Sequence, residues 1–98
     1  MAALDLNSER VAEFCRRHHI RKLALFGSVL RDDFTAESDV DVLVEFEDGN
    51  TPGLAFFAMQ DEFSAIIGRP VDLNTPGFLS RYFRDQVMAE AEVQYVAR

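Results

Sequence analysis

The hydrophobic positions change period several times along the chain, and each change marks a predicted element. Val11, Ala12, Phe14 and Cys15 recur on one helical face, with Asn7 or Ser8 as candidate caps before them. This helix is predicted to end in "RRHHIRK" (16–22), where cations complement the negative pole of the helix dipole. His18 and His19 read as the solvated end of that helix; adjacent histidines point about 100° apart and chelate poorly. "KLALFG" (22–27) reads as a short buried strand stopped by glycine, residues 28–34 as one or two helical turns, and "TAES" as a loop. "DVDVLVEF" (39–46) alternates with the period of a strand, Val40, Val42 and Val44 on one face and Asp39, Asp41, Leu43 and Glu45 on the other.

After the turn chemistry of "EDGNTPG", the segment 54–67 is predicted helical, with Phe56, Phe57 and Phe63 assigned to the core and Gly68 as C-cap. "RPVDLN" (69–74) is another short strand and "TPG" a turn. A helix from about Phe78 to Ala91 and a closing strand "EVQYVA" complete the pattern. Strands alternating with helices predict an α/β fold, a small mixed β-sheet flanked by helices. No repeat, linker or low-complexity tract divides residues 1–98, which read as a single domain.

Composition narrows the picture. At 98 residues, 48% apolar with nine phenylalanines, the chain is expected to fold around one core. Its net charge of −7 argues against direct nucleic-acid binding, which rests on neutralising phosphates. An acidic chain suits a basic protein partner, or phosphates handled through bound cations. Cys15 is the single cysteine, so no intramolecular disulfide is expected and a reducing cytoplasm is the natural setting; on the apolar side of its helix, it reads as core. The N-terminus lacks a signal-peptide pattern, and no apolar run is long enough to span a membrane, so the expectation is a soluble cytoplasmic domain.

The candidate chemistry starts from an electrostatic oddity. Asp39 and Asp41 share one strand face with Cα atoms about 6.5 Å apart, and like charges at that distance repel. Asp72, between Val71 and Leu73, points away from the core on its own strand. If the two strands are neighbours, three carboxylates meet on one face. Two cations held about 3.5–4 Å apart would relieve the repulsion and clamp an in-line phosphoryl displacement. Hard oxygen donors of this kind suit Mg²⁺. Gly27 allows close backbone approach to a ligand, and Ser28 opens a helical segment whose free N–H groups attract phosphate. Arg31, one turn on, adds a cation near the same phosphates or pairs with an acidic neighbour. Ser38 either fixes the loop before the aspartates or contacts substrate.

The combined pattern "GSVLR…SDVDVLVEF…VDL" resembles the minimal nucleotidyltransferases of the DNA polymerase β-like superfamily, over about residues 8 to 96. Within it, the small size and the wording of "SDVDVLVEF" look most like the MntA-type antitoxins, which work beside a HEPN-domain RNase toxin. The resemblance implies a polymerase β-like fold and transfer of AMP from ATP, with two Mg²⁺ ions, to a tyrosine of the cognate toxin, with which the chain would form a hetero-oligomer. It implies that Asp39 and Asp41 hold the metals, that Asp72 completes the metal site and helps activate the acceptor hydroxyl, and that Gly27 and Ser28 hold the triphosphate. Arg31 and Ser38 join them as candidate nucleotide contacts. No helical acceptor domain of the kind seen in larger superfamily members is evident. Two rivals stand beside this reading: an antitoxin that neutralises its partner by covering it without catalysis, and a nucleotidyltransferase acting on a small molecule.

Overall fold

Val40, Val42 and Val44 are fully buried, and the fold is assembled around that stripe. In the computed structural model, which describes residues 9–30, 35, 37–50, 52–79, 82 and 84–97, α1 (Glu9–Arg17) leads into β1 (Ile20–Phe26) and a 3-10 turn (Gly27–Leu30). β2 (Val40–Phe46), α2 (Ala55–Ile67) and β3 (Val71–Asn74) follow. A second 3-10 turn (Pro76–Phe78), α3 (Arg84–Glu90) and β4 (Glu92–Val96) come last. The sheet has the order β3-β2-β1-β4; β1 is antiparallel to both β2 and β4, whereas β2 and β3 run parallel. A parallel pair needs a long crossover, and α2 supplies it. The predicted α/β class with a small mixed sheet is therefore the observed one.

Helices α1 and α2 bury their apolar stripes against the valine face. Phe14 and Cys15 from α1 and Phe56, Met59 and Phe63 from α2 join Leu23, Leu25, Val71 and Leu73 in one core. Phe14 and Phe63 stack at 4.9 Å between ring centroids, joining the two helices. Gly68 ends α2 in the left-handed region at φ 74°, and its N–H donates to the Ser64 carbonyl, as its predicted C-cap role requires.

β3 is an edge strand of four residues, and its outer side is not left bare. The Val71 N–H donates to Ser64 Oγ at 3.0 Å and the Leu73 N–H to Gln60 Oε1 at 2.9 Å. Two side chains one helical turn apart on α2 thus replace the missing neighbouring strand and satisfy donors that would otherwise invite pairing.

Tertiary packing overrides several local expectations. The helix over 11–15 stops at Arg17, His19 adopts φ 57°, and β1 starts at Ile20 because Ile20 and Leu23 are needed in the core. Arg21 and Lys22 therefore belong to a strand. His18 is half-buried, with Nε2 3.0 Å from Glu62 Oε1 and its ring against Phe14, so it joins α1 to α2 and is not merely solvated. Phe57 is 67% exposed, since the buried stripe of α2 runs through Phe56, Met59 and Phe63 and leaves 57 outside it. The helix expected from Phe78 does not start there: Leu79 is extended at φ −79°, ψ 143°, which ends the Pro76–Phe78 turn, and α3 is described over Arg84–Glu90. The candidate caps Asn7 and Ser8 lie outside the described residues. Among those residues, no helix is long and apolar enough to cross a membrane.

Candidate active site

The parallel pairing of β2 and β3 puts Asp41 directly opposite Asp72, with Val40 opposite Val71 and Val42 opposite Leu73. In matched register, paired residues project to the same face, so both aspartates stand on the side away from α1 and α2. Asp39 precedes β2 by one residue on the same alternation. Asp39 and Asp72 are exposed and Asp41 is half-buried. The convergence expected on one face is thus present at the level of strand and register.

On its other side Asp41 pairs with Phe26, the last residue of β1. Gly27 comes next, at φ 77°, a conformation that costs little only for glycine. A Cβ placed on Gly27 would lie 3.1 Å from the Asp41 Cγ and 3.3 Å from its Cβ, and closer still to Oδ2. The backbone of the Gly27–Leu30 turn therefore passes directly over the Asp41 carboxylate, and a side chain there would displace it. Ser28 follows in the same turn; its side chain, like Arg31, lies outside the described residues.

The loop entering β2 is locked by Ser38. Its Oγ accepts from the Thr35 N–H at 3.1 Å and lies 3.2 Å from the Thr35 hydroxyl, while its N–H donates to the Thr35 carbonyl at 3.1 Å. Of the two roles open to Ser38 from the sequence, fixing the loop is the one its hydrogen bonds display.

A cleft of about 620 Å³ opens beside Asp41, lined by Phe26, Gly27, Leu30 and Asp41 on one side and by Gln86, Val87, Glu90 and Glu92 on the other. Its size suits a small organic ligand. Asp41 lines it and Asp39 and Asp72 do not. The far wall comes from α3 and the first residue of β4, none of which the motif reading had singled out. No local pattern marks these four residues as lining; they reach the cleft because β4 pairs with β1 and brings α3 alongside Gly27.

Among the described residues, no three His, Cys, Asp or Glu side chains are gathered into a metal cluster. The donor chemistry fits Mg²⁺: carboxylate oxygens from two adjacent strands, on one face, beside a glycine turn. Asp39, Asp41 and Asp72 would be the residues to hold such ions, since register and alternation put them on one face.

A family model described as a nucleotidyltransferase domain matches residues 8–94 of this chain. A Methanocaldococcus jannaschii protein named provisionally as a protein adenylyltransferase is 35% identical over 82 residues, covering 82% of this chain and 80% of the relative. A solved structure described provisionally as a minimal nucleotidyltransferase matches with a TM-score of 0.69 at 31% identity, over 93% of this chain and 97% of its own. The fold also matches a chain from a solved complex of the tri-AMPylated Shewanella oneidensis HEPN toxin with MNT antitoxin, at a TM-score of 0.66 and 20% identity over 94% of this chain and 71% of that one.

Proposed function

Since the chain belongs to the nucleotidyltransferase domain family, we propose that it transfers AMP from ATP to a tyrosine hydroxyl of a cognate HEPN-type RNase toxin and thereby acts as its antitoxin. The observation that carries this reading is the Asp41–Asp72 pairing, with Asp39 on the same face and Gly27 pressed over Asp41. The resemblance of "SDVDVLVEF" to the MntA-type antitoxins supports the choice of partner. So do the provisional protein adenylyltransferase name of one relative and the AMPylated HEPN toxin in the complex of like fold.

In this reading the backbone of Gly27 and Ser28, with the Ser28 hydroxyl and Arg31, binds the triphosphate and orients its α-phosphorus toward the aspartates. Ser38 keeps Asp39 and Asp41 in place through its hydrogen bonds to Thr35 and is a further candidate contact for the nucleotide. The acceptor tyrosine oxygen forms a bond to the α-phosphorus, the bond from that phosphorus to the bridging oxygen breaks, and pyrophosphate leaves. Asp72 accepts the hydroxyl proton as attack proceeds. Two Mg²⁺ ions, held by Asp39, Asp41 and Asp72, would supply charge neutralisation of the phosphates. The rest of the rate derives from positioning. Neutralisation of the toxin follows from the modification, within a hetero-oligomer of the two chains.

The test is to incubate the protein with Mg²⁺, ATP labelled on the α-phosphate and the product of the neighbouring reading frame. Label on that partner, lost with Asp39→Ala or Asp41→Ala, is the expected result. Equal neutralisation by those variants with no label on the partner would replace catalysis by simple covering. Label on a small molecule alone would remove the protein acceptor.

A further inference from the structure

Arg69 lies two residues before β3, on the opposite side of α2 in sequence from the Asp39 loop, and the two are joined in space. Its guanidinium donates to the Thr35 carbonyl at 2.6 Å, and its Nε is buried. Thr35 also gathers the described residues before Asp39: its N–H and hydroxyl engage Ser38, its hydroxyl accepts from the Glu37 N–H at 3.3 Å, and its carbonyl accepts from the Ser38 N–H. One residue after Arg69, the Pro70 carbonyl accepts from the Val40 N–H at 2.9 Å, which opens the β2–β3 ladder. Two ties, one by side chain and one by backbone, therefore fasten the segment carrying Asp39 to the segment carrying Asp72. The backbone tie fixes only the Val40 end. Asp39 lies between the two ties, outside regular pairing, so its placement depends on both.

We infer that Arg69 is a positioning residue: by anchoring Thr35 to the start of β3, it sets Asp39 against Asp72 and so tunes the affinity of the aspartate face for divalent cations. The inference rests on the nucleotidyltransferase reading only in that the three aspartates are taken as the cation site. Groups that orient metal ligands without touching the metal characteristically change affinity by about 10–100-fold when removed. A planar guanidinium reaches a carbonyl with a rigid fork, whereas a lysine keeps the charge without that geometry.

The experiment compares the full chain with R69A, R69Q and R69K, with nucleotide present. Mn²⁺ affinity is measured by calorimetry, thermal midpoint by circular dichroism, and AMP transfer to the partner across a Mg²⁺ titration. The expected result is a loss of Mn²⁺ affinity of about tenfold in R69A and R69Q. A smaller loss is expected in R69K, and transfer should recover toward the unsubstituted rate at high Mg²⁺. Unchanged Mn²⁺ affinity with a lowered thermal midpoint would overturn the inference and leave Arg69 a structural tie. So would failure of the unsubstituted chain to bind Mn²⁺. If R69A melts below assay temperature, R69K carries the comparison under the same criteria. Arg69-dependent Mn²⁺ binding without AMP transfer by any form would sink the transfer reading and leave this inference standing.

Discussion

Asp41 and Asp72 are direct partners across a parallel ladder, although the whole of α2 separates them in the chain. Two carboxylates in register on adjacent strands stabilise nothing by themselves, since like charges repel at that spacing. Replacing either by asparagine keeps the shape and removes the charge. Asp41→Asn and Asp72→Asn are each expected to reduce AMP transfer by about 100-fold or more while leaving the thermal midpoint equal or raised. Transfer rates and melting curves on the same preparations check this. Retained transfer in Asp72→Asn would remove that residue from the site.

Gly27→Ala should affect both stability and activity. At φ 77° an alanine costs about 1–2 kcal/mol from backbone strain alone. Its Cβ would also push the Asp41 carboxylate aside, and a displacement of that order is expected to slow transfer by about 100-fold. Urea unfolding and the transfer assay separate the two effects. Gly49→Ala is the control, since Gly49 has a similar φ of 79° and nothing within 4 Å of an added Cβ. It should lose comparable stability and keep full activity.

Gln60→Ala deprives the Leu73 N–H of its acceptor on the outer edge of β3. A stability loss of about 1 kcal/mol is expected by urea denaturation. Hydrogen exchange should show faster exchange at Leu73 than at Val42, which lies within the sheet. Unaltered protection at Leu73 would mean that water or a shifted side chain replaces Gln60.

Acid sensitivity is expected from the α1–α2 contact. Burial by itself would raise the Glu62 carboxyl, but hydrogen bonds from Arg17 and His18 outweigh it and hold the group below its ordinary value of 4.5. A depressed carboxyl contributes stability that is present above 4.5 and is lost as pH falls through the lowered value. Glu62→Gln should therefore flatten the acid limb of a plot of urea midpoint against pH. Identical acid limbs in the two proteins would show that the contact contributes nothing.

Cys15 should behave as a shielded thiol. Burial pushes it up to about 12 from an ordinary 9.0, outweighing the opposing effect of the nearby Arg16 charge. Its contribution to stability is then full below 9.0 and is lost as pH climbs toward 12. Thiol reagents at pH 8 are expected to label the unfolded chain and spare the native one. Rapid labelling of the native protein would contradict this burial.

The elements with strong local signals were legible. The period-two alternation of β2, the glycine stop after β1 and the Gly68 cap each follow from backbone sterics and side-chain direction, which neighbours in sequence fix. Weaker signals failed where packing competed. Phe57 is apolar yet lies off the stripe that α2 buries, and Ile20 leaves the end of the first helix because the sheet needs it. Arg69 carried no motif, because its hydrogen bond reaches a backbone carbonyl, and carbonyls are alike at every position.

The sequence by itself determined that Asp39 and Asp41 share a face, that Gly27 and Ser28 follow a strand, and that Asp72 points opposite to its apolar neighbours. These depend only on the two-residue repeat of a strand and on the freedom of glycine. The tertiary structure alone decided that β3 lies beside β2 in the register that opposes Asp72 to Asp41. It also decided that α3 and β4 wall the cleft and that Arg69 ties the two acidic segments together. Strand order, register and side chain-to-backbone bonds are settled by burying α1 and α2 against one sheet face, a condition on the whole chain that no local window contains.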